Sequence, residues 1–140
     1  MPLTLEQTQT LISAAHEHAA GNGLTVTVAV VDEGGLLQAL ARMDGAPPLS
    51  AQIAEAKAAG AALWHRDGDA LAAVQRDRGA FFGAVSRMTR LPIIPVDGSV
   101  LIRDDGAVLG AVGVSGASSE EDRECAEAGL ARVLGQDRAA

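Results

Sequence analysis

Leu24-Thr25-Val26-Thr27-Val28-Ala29-Val30-Val31-Asp32-Glu33-Gly34-Gly35-Leu36-Leu37-Gln38-Ala39-Leu40-Ala41-Arg42-Met43 is the stretch that decides the fold. Strand side chains alternate, so Val26, Val28 and Val30 share one face and Thr25, Thr27 and Ala29 the other. Asp32-Glu33-Gly34-Gly35 reads as a turn, because glycine takes positive φ without a steric cost. Leu36 to Met43 then returns as a second strand, which makes a β-hairpin.

A weaker echo of this hairpin lies downstream. Val100 to Arg103 is a short strand, Asp104-Asp105-Gly106 a turn, and Ala107 to Ser115 the return strand. Gly110 and Gly113 interrupt that last strand and Gly116 follows it. Such glycines mark the close approach of another backbone or of a ligand.

Helical periodicity surrounds the hairpins. Thr4 and Gln7 form a capping box, and Thr8, Leu11, Ile12, Ala15 and Ala19 recur at helical spacing before Gly21 and Gly23, which predicts a helix over 5–20. Pro47-Pro48 breaks the chain. Leu49, Ile53, Ala56, Gly60 and Trp64 then form the apolar stripe of a helix over 50–65. An alanine-rich stretch, 69–76, reads as helical; 79–83 has no clear period, and Pro92 and Pro95 mark a loop. Ser118 and Glu121 open a last helix over 119–134, with Ala126, Leu130, Val133 and Leu134 as its stripe. The order α-ββ-α-(α)-ββ-α places the chain in the α/β (α+β) class, as an antiparallel sheet with helices packed on it. A length of 140 residues fits a single domain over 1–140.

Composition narrows the partners. Trp64, Phe81 and Phe82 are the only aromatic residues, so the core must be built from Val, Leu, Ile and Ala. A net charge of −7 argues against nucleic acid and against an anionic membrane surface. Cys125 is the sole cysteine, so neither an intrachain disulfide nor a CxxC knuckle can form, and no metal site is expected. No run of 18 apolar residues or secretory h-region occurs, which leads to the expectation of a cytoplasmic protein.

The densest chemistry is Arg42-Met43-Asp44-Gly45-Ala46 at the end of the first hairpin, followed by Lys57. Lys57 falls about 60° from the centre of the Ile53/Gly60/Trp64 stripe, near the buried edge of its helix. It reads either as a snorkelling or Asp44-paired structural lysine, or as an anion-binding or catalytic lysine beside Arg42, whose planar fork suits a carboxylate. His16 and His18 lie about 160° apart on the first helix and cannot chelate one ion together. His65 ends the second helix, where the dipole favours a cationic imidazole. All three read first as surface or capping residues, and second as donors to a haem iron. Gly110-Ala111-Val112-Gly113-Val114-Ser115-Gly116 fits neither the P-loop nor the GxGxxG spacing. It is either a close-packing strand or the floor of a groove. GxSxG, HExxH and EF-hand patterns are absent.

Taken together, these segments resemble the GlcG/HbpS family, the haem-degrading domain, which is similar to the C-terminal domain of PduO-type proteins. The resemblance covers about 5–135. It rests on Val30-Val31-Asp32 with Gly35, Arg42-Met43-Asp44-Gly45-Ala46, Lys57-Ala58, the Gly110–Gly116 segment, and Asp122. Gly98-Ser99-Val100-Leu101 stands where the family usually carries Gly-Gly-x-Pro. The resemblance implies a profilin-like antiparallel sheet flanked by helices and a homo-oligomer, from dimer to octamer. It also implies a small-molecule ligand, with haem or a corrinoid bound by some members. Carried over, it implies a site lined by Arg42, Asp44, Lys57 and the segment Gly113, Val114, Ser115 and Gly116.

Three functions follow as expectations. The first is a haem- or tetrapyrrole-binding domain, with His16, His18 or His65 as the iron ligand. The second is a cofactor-independent lyase, isomerase or hydrolase acting on a small anionic or aromatic metabolite. There Arg42 orients a carboxylate, Lys57 is the acid–base or electrophilic group and Asp44 sets its charge. The third is an assembly module without a ligand. The Met88–Val96 loop is a further candidate for shaping a small-molecule site.

Overall fold

The computed structural model describes residues 3–138. In chain order the elements are α1 (Leu5–Gly21), β1 (Thr27–Asp32), β2 (Leu37–Arg42), α2 (Leu49–Trp64), α3 (Gly68–Asp77), α4 (Gly79–Ser86), β3 (Ser99–Asp104), β4 (Ala107–Ser115) and α5 (Ser119–Arg138). The four strands form one antiparallel sheet in the order β2-β1-β4-β3. The two hairpins are therefore joined through β1 and β4, with Thr27 opposite Ser115 and Asp32 opposite Gly110.

Alternation along the strands sends two different surfaces to two different layers. On one face Val26, Val28, Val30, Val112 and Val114 meet Leu11, Ile12 and Ala15 of α1 and Cys125, Ala126 and Val133 of α5. The two helices approach each other at Gly129, where a Cβ would stand 2.6 Å from the Leu11 carbonyl oxygen. On the other face Val31, Leu101 and Ala111 meet Ala58, Ala61 and Ala62 of α2.

The sheet-facing side of α2 is thus its alanine side, not the Leu49/Ile53/Gly60/Trp64 stripe that its periodicity suggests. Gly113 explains the choice. A Cβ there would collide with the Ala54 carbonyl oxygen and lie 2.7 Å from the Ala58 nitrogen, so the helix backbone rests on a strand without a side chain. Only small residues permit that approach. The larger residues turn outward and are partly covered by the chain that follows. Ile93 lies across α2 at Gly60, where a Cβ would meet its Cγ2 at 3.0 Å.

The 79–83 segment, unreadable by period, is the start of α4. Two glycines make it a poor helix by propensity, and tertiary packing holds it instead. Phe82 stacks on Trp64 at 5.5 Å between ring centroids, and Phe81 meets Trp64 edge-on at 6.1 Å. Leu71, Val74 and Ile93 complete this small second core.

Candidate functional site

The glycine-rich end of β4, Lys57 and Arg42 do converge on one end of the sheet. Arg42 pairs with Thr27, and Thr27 with Ser115, so the β2 and β4 backbones there are two strand spacings, about 10 Å, apart. Thr27 and Ser50 share a buried hydroxyl hydrogen bond of 2.7 Å, and Ser50 also donates to the Pro47 carbonyl.

Lys57 is enclosed as well, with 4% of its side chain exposed. Its ammonium donates to the Val114 carbonyl at 3.0 Å and to Asp122 Oδ2 at 3.1 Å. Lys57 is therefore paired, but with Asp122 of α5 rather than with Asp44. The pair passes beneath Gly98, whose φ of +119° and missing side chain leave room for it; a Cβ there would sit 2.6 Å from Lys57 Nζ. Gly98 is the one residue of the expected Gly-Gly-x-Pro element that this geometry requires.

Asp122 is held from its other side too. Its Oδ1 accepts from the Ala117 amide at 3.0 Å, and Ser118 and Glu121 form the reciprocal capping box that starts α5. Burial pushes the Asp122 carboxyl above its ordinary range, against the lowering effects of the Lys57 ammonium and the Ala117 amide. Sequence reading named Asp122 only as part of a family motif. Its partnership spans 65 residues and has no local signal.

Arg42 and Asp44 lie at the exposed surface, and Arg42 donates to the Ala46 carbonyl at 3.0 Å, closing its own loop. Val114 is a core residue, Ser115 is buried, and Gly116 approaches the Thr25 carbonyl oxygen. This segment is a packing surface. Lys57 hydrogen-bonds to the Val114 carbonyl of this segment and to Asp122, while Arg42 closes its own loop.

The histidines are separated. His16 Nε2 donates to the Ala41 carbonyl at 3.1 Å, and burial holds its pKa below the ordinary value, outweighing the raising effect of that bond. His18 is half-buried in the last turn of α1. His65 is an exposed left-handed cap of α2 with φ 53°. Among the described residues no three His, Cys, Asp or Glu side chains gather into a metal cage, and no helix is long and apolar enough to cross a membrane.

Open space lies elsewhere, on the outer side of α2. One groove of about 380 Å³ is lined by Leu49, Gln52, Ile53, Glu55 and Ala56 of α2 with Leu91, Pro92 and Ile94. A second, of about 310 Å³, runs between Ala59, Gly60 and Leu63, the Gly34–Leu36 hairpin tip and the Met88–Leu91 strap. Apolar residues left in solvent border them: Leu36, Leu49, Leu63 and Met88, the last 83% exposed. The residues present fit a flat, mostly apolar group with acidic substituents, since apolar walls lie beside the Arg90 guanidinium. No histidine lines either groove: His65 caps the end of the same helix, whereas His16 and His18 lie on α1, across the sheet.

The architecture defines a three-layer α+β domain: an antiparallel sheet with α1 and α5 on one face and α2, flanked by α3 and α4, on the other, where the apolar grooves lie. The chain belongs to the HbpS-like family, described as haem degrading protein HbpS-like, whose sequence model matches residues 3–131. Protein GlcG of Escherichia coli K12 is 35% identical over 113 residues, 81% of each chain. The crystal structure of a double mutant of Streptomyces reticuli HbpS superimposes with a TM-score of 0.84 at 31% identity, covering 95% of this chain and 88% of that one. The PduOC:heme complex does so with a TM-score of 0.84 at 27% identity, covering 94% of both chains.

Proposed function

We propose that this chain is a small-ligand-holding domain for haem or a closely related tetrapyrrole, seated on the outer face of α2. The carrying observation is its likeness, along 94% of both chains, to a domain crystallised with heme. The two apolar grooves with Arg90 at their border support the placement. Haem would supply a redox-active iron. The chain supplies apolar walls, a cation for a carboxylate, and, at the end of the same helix, the exposed imidazole of His65. Lys57, enclosed by Asp122 and Val114, serves the fold in this reading, and the cofactor-independent enzyme gains no support from it. The exposed Leu5 and Leu37, which line neither groove, suit a homo-oligomer, and we place the protein in the cytoplasm.

Hemin titration tests the reading. One equivalent per chain should give a shifted Soret band, and His65→Ala should abolish the shift while His18→Ala, on the opposite face of the sheet, should leave it. No spectral change at micromolar hemin would end the proposal. Light scattering and cell fractionation check the oligomer and the location.

A further inference from the structure

Leu91 lines both grooves on α2, so it is the wall between them. One ion pair ties that wall down. Arg90, which lines one groove, donates to Glu55, which lines the other, at 3.0 Å. The pair lies on the divide, with 59% of the Arg90 side chain and 20% of the Glu55 side chain exposed. The strap is otherwise fastened at its ends: Met88 N donates to the Val85 carbonyl, Thr89 Oγ1 shares its hydrogen between the Ser86 and Leu91 carbonyls, Ile93 N donates to Ser86 Oγ, and Ile93 is buried with Leu71, Val74 and Phe82 against Gly60.

Charge points to the sign of the ligand. Residues 66–90 carry five arginines (66, 76, 78, 87 and 90) against three aspartates (67, 69 and 77), in a chain whose net charge is −7. Of these arginines Arg90 is the one that lines a groove, so it is the cation an anionic ligand entering there meets.

We propose that residues 89–92, between the fastened ends of the strap, form a movable partition latched by Arg90–Glu55, with buried Ile93 as its fixed end, and that a planar apolar ligand bearing carboxylates opens it. The ligand carboxylate replaces Glu55 on Arg90, Leu91 moves outward, and the two grooves become one slot. The inference rests on the tetrapyrrole reading and adds to it the ligand's acidic edge and the residue that recognises it. A partly exposed ion pair is weak enough to exchange in this way. The incoming carboxylate restores the charge-assisted hydrogen bond that Arg90 gives up.

Protoporphyrin IX and its dimethyl ester are the probes, since both lack iron and only the first carries carboxylates. Binding is followed by fluorescence on the full chain. Glu55→Gln removes the competitor and should bind the diacid about threefold more tightly. Arg90→Gln should bind it about tenfold more weakly. Toward the diester Arg90→Gln should equal or exceed the parent, because only the latch is lost. Without ligand, Glu55→Gln should speed amide exchange across 89–92. Unchanged diacid affinities, equal weakening of diacid and diester in Arg90→Gln, or unchanged exchange would each overturn the partition while leaving tetrapyrrole binding intact. Failure of the parent protein to bind either hemin or protoporphyrin would overturn the parent reading, and this one with it.

Discussion

Lys57 Nζ lies 3.1 Å from Asp122 Oδ2, and this contact joins α2 on one face of the sheet to α5 on the other. Both side chains are buried, at 4% and 3% exposure. Removing one partner leaves an uncompensated charge in the interior, which costs about 3–5 kcal/mol. Lys57→Met and Asp122→Asn should each lower the unfolding free energy, read from urea denaturation, by that order. The double variant should recover most of the loss, since the introduced side-chain amide can still accept from the Ala117 N–H and no lone charge remains. Arg42→Ala and Asp44→Ala, at the exposed surface, should change stability by less than about 1 kcal/mol. Equal losses in all four single variants would contradict the distinction.

Gly113 has no substitute among L-residues with a side chain. The Cβ of Gly113→Ala would fall within 2.7 Å of two α2 backbone atoms, neither of which can turn aside as a side chain would. Overpacking of this kind costs about 1–3 kcal/mol. The loss should appear as a lower thermal midpoint and as faster amide exchange in α2. Gly79→Ala, with open space around it, serves as the neutral control.

His16 gives the protein an acid sensitivity. Its native pKa lies below 6.5, so in the window beneath that value the unfolded chain binds more protons than the folded one. Stability from this residue is full above 6.5 and falls as the pH drops through the window. Chemical denaturation at neutral pH and at about pH 5 should show a decline in the parent that is smaller in His16→Gln, which keeps a donor for the Ala41 carbonyl. Identical pH profiles would refute the assignment.

Cys125 should be inert while the protein is folded. It is fully buried, and burial together with the nearby carboxylates of Asp122, Glu124 and Glu121 pushes its thiol pKa up to about 11. Labelling by a thiol-directed disulfide reagent should be about a thousandfold or more slower than in denaturant. Rapid native labelling would show that the α1/α5 layer opens.

Local chemistry made much of the fold legible. The α1 capping box, the turn at Asp32–Gly35 and the turn at Asp104–Gly106 act through neighbours within four residues, and each element stands close to where its residues place it. The α4 segment was hidden because Gly79 and Gly83 weaken its period and Trp64, outside it, supplies its support. The candidate site was less legible. Lys57 was recognised as half-inward, but its partner was not. The grooves depend on a strap crossing α2 at Gly60, a contact with no trace in either segment alone.

Hydrogen bonding and side-chain period act over a few residues, and they suffice for the hairpins, four of the five helices and the family pattern, while a lone cysteine rules out an intrachain disulfide. The pairing of β1 with β4, the face of α2 that meets the sheet and the place of the Lys57 charge depend on long-range packing. Those choices belong to surfaces brought together from distant parts of the chain. There a missing Cβ at Gly113 or Gly98 governs how closely two backbones, or a backbone and a buried ammonium, can approach.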